Sequence, residues 1–177
     1  MTQARMDLYA SIHKGLRSFM AGALAALTIT GVAAADSARR DGAQQNLIDR
    51  GRYLMKIAGC NDCHTAGYAH SGGNVPEAQW LTGDALGWSG PWGTTYPANL
   101  RLVVAGMSEE DWVRRARTAQ YRPPMPWFAL RDMSETDLRA AYRFIRSLGT
   151  AGSPVPAYVP PGDKVAGPVV MFPAPPK

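Results

Sequence analysis

The chain contains two cysteines, and both stand in one five-residue run, Cys60-Asn61-Asp62-Cys63-His64. Two thiols three positions apart lie on one side of a single helical turn. From there they can form thioethers with two vinyl groups of one porphyrin, and the imidazole that follows can reach the iron. The pattern C-x-x-C-H therefore predicts covalent attachment of one c-type haem through Cys60 and Cys63, with His64 as an axial iron ligand. Two other chemistries use part of the pattern. A redox-active dithiol needs a thioredoxin-like βαβ context, which this sequence lacks. A zinc site would draw on Cys60, Cys63, His64 and His70, but no second C-x-x-C or paired-histidine spacing supports it.

The N-terminal region reads as a targeting segment. Lys14 and Arg17 precede an uncharged apolar run over 19–32, and Ala33-Ala34-Ala35 supplies a small-residue cleavage site before Asp36. This is the pattern of a secretory signal peptide covering residues 1–35. The run is shorter than the roughly 20 apolar residues a membrane span needs, so no transmembrane span is expected in the mature chain. Cleavage removes Arg5, Lys14, Arg17 and Asp7, so 19 basic and 14 acidic residues become 16 and 13, a net charge of +3. Haem propionates would lower that further, which removes the compositional argument for nucleic-acid binding. The expected destination is the periplasm.

The mature chain then divides into a loose polar leader over 36–45, a helical domain over 46–149 and a Pro-rich extended tail over 150–177. Asn46 reads as an N-cap, and Leu47, Gly51, Leu54, Met55 and Ala58 mark one helix face leading to the cysteine motif. Regular periodicity disappears between Thr65 and Leu100, where Trp80, Trp88, Trp92 and Tyr96 are interleaved with Pro76, Pro91 and Pro97. A loop this long is uncommon in a compact domain unless it wraps something, and a large flat cofactor fits that need. Two capping boxes follow. Ser108 with Asp111, stapled by Met107 and Trp112, opens a helix to about Gln120. Ser134 with Asp137, stapled by Met133 and Leu138, opens the last helix, whose expected buried stripe is Leu138, Ala141, Tyr142, Ile145 and Leu148, stopped at Gly149. Eight of the 14 prolines lie in 150–177, where no helical or alternating pattern survives.

Iron held by a histidine on one side takes its character from the other side. His70 lies six residues past His64, too near to reach the opposite face easily, and His13 belongs to the signal peptide. Among the five methionines after residue 35, Met55 has a place on a helix face, Met107 and Met133 occupy staple positions, and Met171 lies in the tail. Met125 has no such assignment. It sits in Arg122-Pro123-Pro124-Met125-Pro126-Trp127, where prolines stiffen the approach and Pro126 restricts Met125 to extended geometry. A rigid loop presenting one thioether makes Met125 the expected sixth ligand, set against the plain alternative of a methionine filling a core gap. Arg114, Arg115, Arg117 and Arg122 cluster near this loop in sequence, either as a docking frame for a haem edge or as an ordinary solvated face.

With these features in place, residues 46–149 resemble a small mono-haem cytochrome c of class I kind. The order is a first helix, C-x-x-C-H, a long haem-wrapping loop, a helix, a methionine loop and a last helix. The stretch Pro91-Trp92-Gly93-Thr94-Thr95-Tyr96-Pro97-Ala98-Asn99 is similar to one found in cytochrome subunits of bacterial membrane dehydrogenases. The resemblance implies an all-α fold wrapped around one covalent haem c. It also implies a place for Asn99 near the haem propionates, and a crossing of first and last helices that sets Gly51 near the aromatic side of Tyr142. The implied role is one-electron transfer between Fe(III) and Fe(II), with no substrate chemistry of the protein's own. A dehydrogenase or quinol oxidiser would be the donor, and an oxidase or reductase the acceptor. The alternatives are a haem enzyme or gas sensor with an open sixth site, and a cytochrome subunit of a larger redox complex.

Overall fold

The computed structural model describes residues 34–173, so the apolar run 19–32 and His13 lie outside the described residues. Two compact units divide at Gln45 and Asn46. In the first unit, residues 34–45 are helical, not the loose leader expected for 36–45. Ala34, Ala35, Ala38, Arg39, Arg40, Ala43 and Gln44 are strong helix formers, and Arg40 pairs with Asp36 at 3.2 Å one turn away. Propensity suffices there without a packing stripe, which is why no hydrophobic period announced it.

The second unit, 46–177, opens with helix α1 over 46–57. After it come α2 (Cys60–His64), a 3-10 turn (Glu77–Gln79), strands β1 (Gly87–Gly90) and β2 (Gly93–Thr95), then α3 (Leu100–Ala105), α4 (Glu109–Thr118), α5 (Trp127–Asp132), α6 (Glu135–Ser147) and β3 (Val169–Met171). Asn46 does not cap α1, because the preceding residues are already helical. The two serine caps form as their spacing requires: Ser108 accepts from the Asp111 N–H and Ser134 from the Asp137 N–H, both at 3.1 Å.

The core lies between α1, α3, α4 and α6. Leu138, Phe144, Ile145 and Val104 are fully buried, each stabilising the fold by roughly 1.5–3 kcal/mol. On α6 the buried set is Leu138, Ala140, Ala141, Phe144 and Ile145. Tyr142 and Leu148 are only partly covered, so the true stripe is turned toward Ala140 and Phe144 relative to the expected one. The reason is the α1 crossing. A Cβ on Gly51 would fall 2.1 Å from the Ala140 carbonyl oxygen and 2.5 Å from Phe144 Cβ. Gly51 thus meets Ala140 and Phe144, not Tyr142, whose hydroxyl instead donates to the Met107 carbonyl at 3.0 Å. Charged clasps finish the helix contacts: Arg50 with Asp137 (2.9 Å), Arg139 and Arg143 with Glu109 (both 2.9 Å).

The fold is helical but not all-α. A three-stranded sheet in the order β2-β1-β3 covers the region read as irregular. β1 and β2 form an antiparallel hairpin turning at Pro91-Trp92, with Trp88 opposite Thr95 and Gly90 opposite Gly93. β3 joins β1 in parallel, with Gly87 opposite Val169 and Ser89 opposite Met171. These strands are three or four residues long, too short for alternation to declare them, and β1 and β2 also carry glycine. Among the described residues no helix is long and apolar enough to cross a membrane.

Candidate haem-binding site

The cysteine motif folds as the single short helix α2, entered through Gly59, which is left-handed (φ 70°) and lets α1 end before α2 begins. Cys60 and Cys63 are free thiols, both half-buried. Burial pushes the Cys60 thiol up to about 11, and the Cys63 thiol is raised for the same reason. A redox-active dithiol works through a thiolate of lowered pKa, so these shifts run opposite to that chemistry. Zinc fares no better: among the described residues no three His, Cys, Asp or Glu side chains converge to hold a metal ion.

His64 is fixed in one tautomer. Its Nδ1 lies 2.8 Å from the Ala98 carbonyl, which can only accept, so Nδ1 carries the proton and Nε2 keeps its lone pair. A backbone carbonyl on the far nitrogen is the usual brace for a metal-ligating imidazole. Burial lowers the His64 pKa, partly opposed by that hydrogen bond, which favours the neutral ring a ligand must be. The end of α2 is bound to the following loop. The Gly83 N–H donates to the His64 carbonyl at 2.9 Å, and Thr65 bridges to Gly83. The Thr65 hydroxyl donates to Asn61 Oδ1 and accepts from the Leu81 N–H, both at 2.8 Å. Leu81 is held left-handed (φ 62°), at a cost on the order of 1–3 kcal/mol, while its side chain is completely buried.

Segment 92–99 ties the remaining expected residues together. Ala98 holds His64. Three positions earlier, the Thr95 hydroxyl donates to the Pro123 carbonyl at 2.9 Å, attaching the methionine loop. Three residues of extended chain reach at most about 10 Å, so one short stretch braces both His64 and the Met125 loop. Met125 itself is half-buried, with its carbonyl accepting from the Trp127 N–H at 2.9 Å to start α5.

Asn99 is held by contacts within the protein. It is the N-cap of α3, with Oδ1 accepting from the Leu102 N–H at 3.2 Å. Its Nδ2 donates to the carbonyls of Ala151 (2.8 Å) and Ser153 (3.3 Å), which occupies both amide protons. The donors left over lie elsewhere. Trp92 Nε1 and Asn61 Nδ2 are buried with no hydrogen-bond partner. Trp92 belongs to the bracing segment and Asn61 lies between the two cysteines. An unpaired buried donor on Asn61, between two free thiols and on the same short helix as an imidazole with an open Nε2, fits a bound group that brings its own acceptors.

The arginines near the methionine loop are engaged. Arg114 pairs with Asp111, Arg115 donates to the Tyr121 hydroxyl (3.1 Å), Arg117 to the Arg131 carbonyl (2.7 Å), and Arg122 stacks 3.9 Å over the Tyr158 ring. The tryptophans of the long loop also have protein partners: Trp80 meets Tyr68 and Phe144, while Trp88 and Trp92 meet Phe172 of the tail. Sequence reasoning missed Arg101. This residue is 6% exposed and its guanidinium donates to the Gly149 (2.6 Å), Ala78 (2.8 Å) and Leu148 carbonyls, capping the C-terminus of α6 and tying it to the long loop after α2.

Comparison with known proteins supports a cytochrome c-like relation. The chain is 28% identical over 120 residues to the cytochrome c subunit of the quinone alcohol dehydrogenase of Gluconobacter oxydans (strain 621H). The match takes in 61% of this chain and 23% of that protein, so the chain spans about a quarter of the relative's length. No protein-family model and no solved structure matches it.

Proposed function

We propose that the chain is an exported c-type cytochrome that passes single electrons as the cytochrome component of a periplasmic redox assembly. Haem c would be held by thioethers to Cys60 and Cys63, with His64 and Met125 as axial ligands. The group would supply the Fe(III)/Fe(II) couple, and a thioether ligand sets that couple toward the reduced state. The observation that carries the reading is the Nδ1–H of His64 bound to the Ala98 carbonyl, which leaves Nε2 bare on the same short helix as two free thiols. The chain's own residues orient and insulate. Thr65, Leu81 and Gly83 fix the end of α2, and segment 92–99 braces the histidine and the methionine loop together. A rigid mounting keeps reorganisation small when one charge is added or removed.

A dehydrogenase or quinol oxidiser would be the donor and an oxidase or reductase the acceptor. Membership of a larger assembly is preferred to a free carrier because the similar protein is named as a subunit of a quinone-dependent enzyme. The test is Met125→Ala. Ferric wild type should be low-spin with the weak near-red sulfur-to-iron band. The variant should lose that band, fall in potential and take up carbon monoxide readily when reduced. A variant spectrally identical to wild type means that Met125 is not the ligand.

A further inference from the structure

The Pro-rich tail is built onto the domain at the places that matter to the two ligand loops. It starts at Asn99, whose amide grips Ala151 and Ser153. It then passes over Gly83, where a Cβ would fall 2.5 Å from Val155 Cγ1, and over Gly93, where a Cβ would fall 2.4 Å from the Val159 carbonyl oxygen. Val159 exchanges two backbone hydrogen bonds with Thr94, at 2.8 and 3.0 Å. Beside it the Tyr158 hydroxyl donates to the Trp92 carbonyl at 2.7 Å, and the same ring carries the Arg122 guanidinium at 3.9 Å. Arg122 is three residues before Met125 and adjoins Pro123, which Thr95 holds. Tail, bracing segment and methionine loop therefore meet at Tyr158.

We infer that the tail is a strap and that Tyr158 is a positioning residue for the Met125 loop. It clamps Arg122 to Trp92 and so holds the thioether at its working depth. The inference deepens the proposed haem ligation and rests on it. Two features separate a strap from a loosely lying tether. The domain surface is cleared for it by glycines at 83 and 93, and its polar contacts fall on residues 92, 94, 99 and 122, which flank the ligand-bearing loops. Further along, β3 and Phe172 pack on β1 and on the Trp88 and Trp92 rings, and among the described residues they make no hydrogen bond to the methionine loop, which provides an internal control.

The experiment compares full-length holoprotein with Tyr158→Ala, Tyr158→Phe, Arg122→Gln and Phe172→Ala. It reads the near-red band, the rate of carbon monoxide uptake by reduced protein, and amide hydrogen exchange over residues 121–128. Loss of one cation–π contact and one hydrogen bond is expected to raise the open-loop population, and with it the uptake rate, about tenfold in Tyr158→Ala. Tyr158→Phe and Arg122→Gln should each give part of that rise, with faster exchange over 121–128. Phe172→Ala should lose stability and keep native uptake and exchange. If Tyr158→Ala yields no holoprotein, the two milder variants decide, and native uptake and exchange in both overturn the strap. A wild type that lacks the band and binds carbon monoxide at once sinks the haem-ligand reading instead, while exchange over 121–128 still judges the strap.

Discussion

Gly51→Ala sets two known effects against each other at the α1–α6 crossing. Alanine is the better helix former by about 1 kcal/mol, so propensity alone makes the substitution stabilising. Packing opposes it. The new Cβ would lie 2.1 Å from the Ala140 carbonyl oxygen, 2.8 Å from its carbon and 2.5 Å from Phe144 Cβ. Carbon atoms in contact prefer about 3.5–4.0 Å, so the helices must part by on the order of 1 Å. None of the three atoms is the end of a flexible side chain that can swing aside. Overpacking of this kind costs about 1–3 kcal/mol and sometimes more, and moving α1 also uncovers Phe144, now completely buried. The clash wins, and a net loss of about 2 kcal/mol is expected. Urea unfolding of the holoprotein, followed by circular dichroism, should show a lower midpoint at an unchanged slope. A variant as stable as wild type or more so would refute the close crossing, and with it the path by which α1 delivers the chain to Cys60.

Arg101→Met should cost about 1–3 kcal/mol, since it removes the buried, charged donor shared by the carbonyls of Gly149, Ala78 and Leu148, and Arg101→Lys should recover only part because an ammonium cannot fork; the same urea titration measures it. The hydrogen bond from Arg50 holds the Asp137 carboxyl below its ordinary 3.8. That contribution is present above the ordinary carboxylate range and is lost as pH falls through the depressed folded value, so Arg50→Met should flatten the acid side of the stability–pH curve.

What the sequence made legible was whatever rests on local chemistry. The serine caps at 108 and 134 need only their own first turn, and both form as spaced. The motif Cys60–His64 folds as one turn of helix, as its spacing demands. What stayed hidden depends on distant partners. β3 pairs with β1 across some 80 positions of chain, and strands of three residues carry no period of their own. The α6 stripe was misjudged because Ala140 and Phe144 are chosen by Gly51, which lies on another helix. Arg101 read as an unremarkable polar residue, and the hold of Asn99 on the tail went unread, until the chain returned through 148–153 to use them. Glycines at 83 and 93 do mark the strap, but a glycine in a loop announces only room and not its occupant.

The central claim is that Cys60 and Cys63 hold haem covalently, and extraction tests it most directly. Purified holoprotein is treated with acidified acetone and the pellet converted to its pyridine haemochrome. The account predicts that haem stays with the protein and gives the reduced spectrum of a two-thioether haem c, and that Cys60→Ala or Cys63→Ala accumulates little holoprotein. Haem that leaves with the solvent, or purified protein carrying none, would contradict it.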